Sequence, residues 1–159
     1  MTPQWLMEFA IVPALRLLPD GMDSPAARAM LLAIAAQESG LTARHQRGGP
    51  AVSFWQFEVG GVHAVMQRFP LDVGAALVAL DYPSFYNATE CHAAIEHNDT
   101  LAAVFARLLL WSLPQALPAQ NAPGIGWAQY LQSWRPGKPR RDPWDQHYAD
   151  GWETVTAVV

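Results

Sequence analysis

The chain is poor in cysteine and in charge. Its 159 residues include one cysteine, Cys91, which cannot form an internal disulfide, so the chain is not a small secreted domain stabilised by disulfides. Charged residues make up 15% and hydrophobic residues 51% of the chain, a balance that excludes disorder as its main state. The net charge of −4 provides no overall attraction to nucleic acid, so we expect no nucleic-acid partner.

Long hydrophobic runs and metal-binding patterns are also missing. No run reaches the roughly 18 apolar residues that a membrane-spanning helix needs, so we expect no membrane partner. The N-terminus carries Glu8 and has no basic segment, which indicates an amphipathic helix rather than a signal peptide and predicts synthesis in the cytoplasm. Cys91, His92 and His97 lack a convincing fourth ligand, and no glycine loop suits a phosphate, so we expect neither a metal nor a cofactor.

The hydrophobic pattern predicts a mainly α protein, a single domain over residues 1–159 with about seven short helices. A small β-hairpin near 45–57 is the one exception that the pattern leaves open. Pro13 is expected to kink or break the first helix. The predicted helices cover about 4–18, 25–39, 62–69, 72–81, Asn87 or Thr89 to 97, a stretch capped by Asp99 to 112, 126–134 and 143–156.

The helix over 25–39 has the clearest signals. Ser24 is a suitable N-cap and Gly40 a suitable left-handed end, and the residues between them are almost free of charge. Glu38 therefore lies in the last turn, at the negative end of the helix dipole. Apolar neighbours there would raise its pKa further, as a general acid requires. The alternative is a solvent-exposed Glu38 that merely ends the helix.

A polar, glycine-rich segment follows Gly40 and ends in the aromatic stretch Phe54-Trp55-Gln56-Phe57, directly before Glu58. The Gln56 amide, set among aromatic rings, needs hydrogen-bond partners from the backbone or from a substrate. Trp55 either packs in the core or stacks on a sugar ring. Glu58 either faces the same cleft as Glu38 or is simply solvated.

Two of these stretches resemble the lysozyme-like superfamily, in particular soluble lytic transglycosylases and goose-type lysozymes. In those proteins a catalytic Glu-Ser pair ends a buried helix, and a Gly-Leu-Met-Gln segment further on lines the sugar cleft. Glu38-Ser39 matches the pair, and Ser53-Phe54-Trp55-Gln56 takes the place of the segment. Glu58 follows Gln56 at the spacing of an acid in goose-type lysozymes. The resemblance covers about 30 residues well.

The chain also departs from that pattern. Goose-type lysozymes have a second acid within the loop, and no Asp or Glu lies between Glu38 and Glu58. The later Ala-Tyr-Asn motif of the transglycosylases is not evident. The nearest region has Phe105 and Arg107 instead.

The resemblance implies a lysozyme-like fold and cleavage of the peptidoglycan glycan strand at the β-1,4 bond from N-acetylmuramic acid to N-acetylglucosamine. Glu38 would be the general acid and Glu58 a second catalytic carboxylate that holds water, the two ~6.5–9.5 Å apart in an inverting hydrolase. Ser39, Ser53 and Gln56 would bind or orient the sugar, and Trp55 would form a cleft wall. In a lytic transglycosylase Glu38 works alone and a 1,6-anhydro product forms.

Two other readings stay open: a non-catalytic glycan-binding or structural component of the same fold, and a helical interaction protein without a sugar site. With no evident signal peptide, an enzyme would reach the wall after release or delivery, as a phage endolysin or virion-associated protein does. The oligomeric state is open, with a monomer favoured.

The C-terminal third carries two aromatic stripes and a basic turn. The stripes are typical of two helices packed on each other, with a carbohydrate platform as the alternative. The basic turn is typical of a solvated surface, with contact to anionic wall polymer or peptide carboxylates as the alternative. The stripes are Trp127, Tyr130 and Trp134, and Trp144, Tyr148 and Trp152; the turn holds Arg135, Lys138, Arg140 and Arg141.

Overall fold

The computed structural model describes residues 1–157, which are mainly helical, as predicted. No strand forms within that range. The α-helices are α1 (Pro3–Leu6), α2 (Val12–Arg16), α3 (Pro25–Ser39), α4 (Val59–Arg68), α5 (Pro70–Ala79), α6 (Ala88–His97), α7 (Asp99–Trp111), α8 (Pro123–Trp134) and α9 (Trp144–Thr156), with a π-helical segment at Met7–Ile11 and a 3₁₀ turn at Asp20–Met22.

Helix α3 is the centre of the structure and has the predicted bounds. The Ser24 hydroxyl accepts a hydrogen bond from the Ala27 amide at 3.0 Å, and Gly40 ends the helix with φ of 60°. Every residue from Ala29 to Ala35 is buried, which covers all sides of the helix over nearly two turns. Other elements therefore surround α3, and its C-terminal turn carries Glu38 to the edge of the core.

The first helical stretch continues through Pro13 by widening ahead of it. A proline lacks an amide hydrogen and its ring collides with the carbonyl four residues earlier. The π-helical segment Met7–Ile11 relieves this collision, and the Val12 amide bonds to the Met7 carbonyl, five residues back. The predicted kink at Pro13 thus takes the form of a π-turn between α1 and α2.

Four predicted helix starts are shifted. Helix α8 begins at Pro123 rather than 126. Helix α4 begins at Val59 rather than 62 and includes Gly60 and Gly61, and α5 begins at Pro70 rather than 72. The N-cap of α7 is Asn98, whose Oδ1 accepts from the Leu101 amide at 2.9 Å, so the predicted cap Asp99 is wrong.

The segment between α3 and α4 is irregular, and the expected hairpin near 45–57 is reduced to isolated bridges, His45 with Val52 and Val52 with Phe57. Positive φ values at Ser53 (70°) and Gln56 (54°) interrupt the extended backbone that a hairpin needs. An ion pair with a residue of α7 holds the segment in place. Arg44 forms two 2.8 Å hydrogen bonds with the Asp99 carboxylate, which is possible because Asp99 does not cap α7.

The C-terminal helices close the structure over α3. Four residues of the two aromatic stripes form one cluster between α8 and α9, as expected, with the Tyr130 and Trp144 rings stacked at 5.3 Å between centroids; the other two members of the cluster are Trp127 and Tyr148. Trp134 packs on Phe57 instead. Helix α9 approaches α3 closely at Gly151, where an added Cβ would lie 2.7 Å from the Ala29 carbonyl oxygen. Within residues 1–157, no helix has the length and hydrophobicity needed to cross a bilayer.

The close approach at Gly151 gives a stability prediction. We expect Gly151→Ala to lower the free energy of unfolding by about 1–3 kcal/mol, because the new methyl group meets a backbone oxygen that cannot move aside. Gly74→Ala is the matched control: it also lies inside a helix, but its added Cβ meets nothing within 4 Å, so it should stabilise by about 0.5–1 kcal/mol. Urea denaturation measures both, and equal effects would contradict the packing.

Candidate active site

A groove of about 940 Å³ crosses the C-terminal end of α3. Its walls come from the segment before α4, from α4 itself, from the C-terminal end of α7, from α8 and from the loop that joins α8 to α9. Glu38, Gln56 and Glu58 all line this groove. The structure therefore brings together three of the six residues that were singled out as site residues.

Glu38 is half-buried in the groove wall and accepts a hydrogen bond from the Tyr130 hydroxyl at 2.7 Å. It forms no ion pair with any described residue. Burial raises the pKa of the Glu38 carboxyl above its ordinary value of 4.5, and the Tyr130 hydrogen bond, which lowers it, offsets only part of this effect. The negative end of the α3 dipole acts in the same direction as burial. Glu38 is thus neither freely solvated nor neutralised by a cation.

Tyr130 is the site residue that sequence reasoning missed. Its ring belongs to the packed stripe between α8 and α9 and is only 3% exposed, while its hydroxyl reaches Glu38. Burial and the hydrogen bond to Glu38 raise the pKa of the Tyr130 phenol, so it remains a protonated donor. The sequence contained one signal for Tyr130. A buried tyrosine hydroxyl needs a hydrogen-bond partner, and the rest of its aromatic stripe offers none.

Glu58 lies in the opposite electrostatic environment. It is exposed and occupies the N-cap position of α4, but its side chain makes no capping hydrogen bond. The positive end of the α4 dipole favours a negative charge there. The groove thus holds one carboxyl group whose burial favours its neutral form, Glu38, and a second, exposed carboxyl group at a helix N-terminus, Glu58.

Gln56 lines the groove in a left-handed conformation, and its Nε2 donates to the Ser53 carbonyl at 2.8 Å. This bond uses one of the two amide hydrogens, so the other hydrogen and the amide oxygen are left for a ligand. The predicted position of Gln56 in the cleft agrees with the structure.

Ser53 and Trp55 are fully buried, so neither side chain contacts a ligand in the groove, and the expected substrate contacts are wrong for this pair. The Trp55 Nε1 donates to the Leu31 carbonyl of α3 at 2.9 Å, and the Ser53 Oγ accepts from the Trp55 amide at 3.2 Å. Both residues instead hold the turn that presents Gln56. The exposed part of the aromatic wall is Trp134, half-buried in the groove with its Nε1 bonded to the Trp55 carbonyl.

Ser39 does not line the groove either. Its Oγ donates to the Ala35 carbonyl at 2.8 Å and accepts from the Leu41 amide at 3.2 Å, so it closes the end of α3 rather than binding substrate. Phe105 and Arg107, the nearest sequence match to a third motif, are 0% and 2% exposed within α7, and Arg107 is tied to the Met22 carbonyl. This region belongs to the core.

Among residues 1–157, no three His, Cys, Asp or Glu side chains come together in a way that would hold a metal ion. Comparisons with protein-family models, with curated proteins and with solved structures find no match for this chain. The lysozyme-like resemblance therefore stays a prediction that depends on the residues of the groove.

The raised pKa of Glu38 predicts that this residue lowers stability at neutral pH. The folded state holds the Glu38 proton more tightly than the unfolded state, so stability falls as pH rises from 4.5 through the raised pKa. Glu38→Gln removes the charge and keeps an acceptor for Tyr130. We expect it to match the wild type near pH 4 and to be the more stable protein at pH 7, the difference growing by at most about 1.4 kcal/mol per pH unit.

Urea denaturation at the two pH values measures the difference. Glu153→Gln removes an exposed carboxylate from α9 and is the control, with little expected change at either pH. A Glu38→Gln protein less stable than the wild type at pH 7 would contradict the desolvated acid.

Proposed function

We propose that the protein cleaves the glycan strand of peptidoglycan at the β-1,4 bond between N-acetylmuramic acid and N-acetylglucosamine, as a muramidase with Glu38 as general acid. One observation carries this proposal: Glu38 lies half-buried in the wall of a long groove, with a raised pKa, an oriented hydrogen bond and no neutralising cation. A chain selected only for stability has little reason to place a carboxyl group there.

In this reaction Glu38 donates its proton to the bridging oxygen as the bond to the anomeric carbon breaks and positive charge develops on the ring. Glu58 accepts a proton from a water molecule that attacks the opposite face, which leaves Glu38 ionised and Glu58 protonated until solvent exchange restores both. Burial and the negative end of the α3 dipole favour the protonated starting state of Glu38. Gln56 would bond a sugar substituent, and Trp134 offers a ring face on which a sugar can stack.

A lytic transglycosylase is the alternative, and one observation favours it. Glu58 is exposed, so Glu38 is the groove's desolvated carboxyl group among the described residues, as a mechanism with a single acid requires. In that case the muramyl 6-hydroxyl attacks in place of water. In either case the enzyme would act on the wall after release or delivery, as in phage lysis. A glycan-binding or structural role without cleavage remains the non-enzymatic alternative.

Glu38→Gln should lower cleavage of purified cell walls by about 10²–10⁴-fold, because Gln accepts the Tyr130 bond but has no proton to donate. Zymography on embedded walls and turbidity loss of wall suspensions measure this, with Glu153→Gln as the active control. Mass spectrometry of the wild-type products identifies the reaction, since anhydro ends are lighter by one water than reducing ends. Absence of cleavage by the wild-type protein would favour a binding role.

Tyr130→Phe should move the upper limb of the pH–rate profile to higher pH. The phenol stabilises the Glu38 carboxylate, so its loss raises the pKa of Glu38 and keeps the acid protonated further into the alkaline range. Tyr148→Phe is the matched control. It also deletes a buried hydroxyl, but that hydroxyl donates to the Ala119 carbonyl and should leave the limb unmoved. A shift in both variants or in neither would contradict the role of Tyr130.

A further inference from the structure

The groove collects positive charge in an acidic protein. The chain has ten Lys and Arg residues and a net charge of −4. Elsewhere Arg28, Arg44 and Arg141 each pair with a carboxylate. Arg16, Arg47 and Arg107 lie outside the groove and form no ion pair with a described residue, and Arg107 bonds the Met22 carbonyl. Four cations that form no ion pair with any described carboxylate line the groove: Arg68, Arg135, Lys138 and Arg140. They outnumber Glu38 and Glu58 there, so the formal charge of the groove lining has the sign opposite to that of the whole molecule.

Three of these cations stand on the loop that joins α8 to α9, and the loop is fixed beside the acid. The Gln37 Nε2 donates to the Arg140 carbonyl at 2.8 Å, next to Glu38 in sequence. The Trp134 Nε1 bond to the Trp55 carbonyl holds the other end of the loop. The charge of Arg140 also lies close enough to Tyr130 to act on its phenol. Arg135, Lys138 and Arg140, which we call the basic wall, therefore stand on an anchored loop and line the same groove as Glu38.

The chemistry of the wall identifies the kind of ligand. Guanidinium and ammonium groups along a groove bind carboxylates, and Arg does so with paired hydrogen bonds. A strand of N-acetylglucosamine alone carries no such group. Each muramic acid unit of peptidoglycan has a lactyl ether on its ring, and this ether bears either a carboxylate or a peptide that has carboxylates of its own.

We infer that the basic wall of Arg135, Lys138 and Arg140 binds the carboxylates carried by the muramic acid units and so selects acidic strands over neutral amino-sugar polymers. The inference rests on the proposed function, because it assigns the substituents of the same strand. It goes beyond that function because it assigns selectivity to residues of the basic wall, which are different from the proposed catalytic residues Glu38 and Glu58.

Calorimetric binding to the uncleaving Glu38→Gln protein tests it with three glycans of equal length. The first is an N-acetylglucosamine oligomer, which is neutral. The second is a strand stripped of peptides, with lactyl carboxylates only, and the third is a strand with its peptides. We expect the neutral oligomer to bind most weakly. The difference in affinity between the second and third glycans shows whether the basic wall binds the lactyl carboxylates or the peptide carboxylates.

Adding Lys138→Gln and Arg140→Gln should weaken binding of the acidic strands by roughly fivefold and leave the neutral oligomer unchanged. The Arg140 carbonyl that Gln37 bonds is retained in this variant. Arg16→Gln with Arg28→Gln is the matched control, with the same change in net charge at residues that line a separate surface pocket. The acidic preference should also decrease as salt is added.

Equal binding of neutral and acidic strands would overturn the inference and leave the proposed function standing. A loss of binding to all three glycans in the wall variant would also overturn it, because the loop would then act through structure. Tighter binding of a phosphate-rich wall polymer than of either acidic strand would assign the wall to a different ligand. If none of the glycans binds and walls are not cleaved, the proposed function fails with it.

Discussion

The desolvation of one carboxyl group at the end of α3 is the constraint on which the rest of the site depends. Glu38 can be held there because other elements surround α3 and because the helix ends directly after it, at Ser39, with Gly40 as the C-cap. The Tyr130 hydroxyl supplies the single strong contact to the carboxyl group. Burial outweighs that contact, so the proton is retained more tightly than in water. The raised pKa means that stability at neutral pH is given up at this position.

The segment after α3 shows how a site can be built from residues that never touch a ligand. Trp55 and Ser53 are buried, and they join the loop to α3 through the Leu31 carbonyl and to α8 through Trp134. Their hydrogen bonds maintain the turn in which Gln56 takes its left-handed conformation and faces the groove. A rigid interior of this kind keeps the polar groups of a groove in place without relying on the ligand.

Local signals predicted the helices well, and the failures have a common physical origin. The bounds of α3 follow from a cap, a glycine and an uncharged interior, all of which lie within the helix or beside it. The contact between Tyr130 and Glu38 joins residues far apart in sequence, and no local pattern predicts it. Trp55 was ambiguous for the same reason, since its burial depends on α3 and α8 arriving on either side. Asp99 was predicted to be a cap because its actual partner, Arg44, lies on a distant loop and cannot be identified from the local sequence.

The end of α3 and a strand bound in the groove would act on the same proton, that of Glu38. Glu38 lies at the negative end of α3 and Glu58 at the positive end of α4, so two carboxyl groups of one groove lie at helix ends of opposite polarity. Burial is the larger cause of the raised Glu38 pKa, ahead of the opposing Tyr130 hydrogen bond. On the proposed function, a strand bound along the groove would exclude water and add to that burial. Binding itself would then help to keep the proton on Glu38.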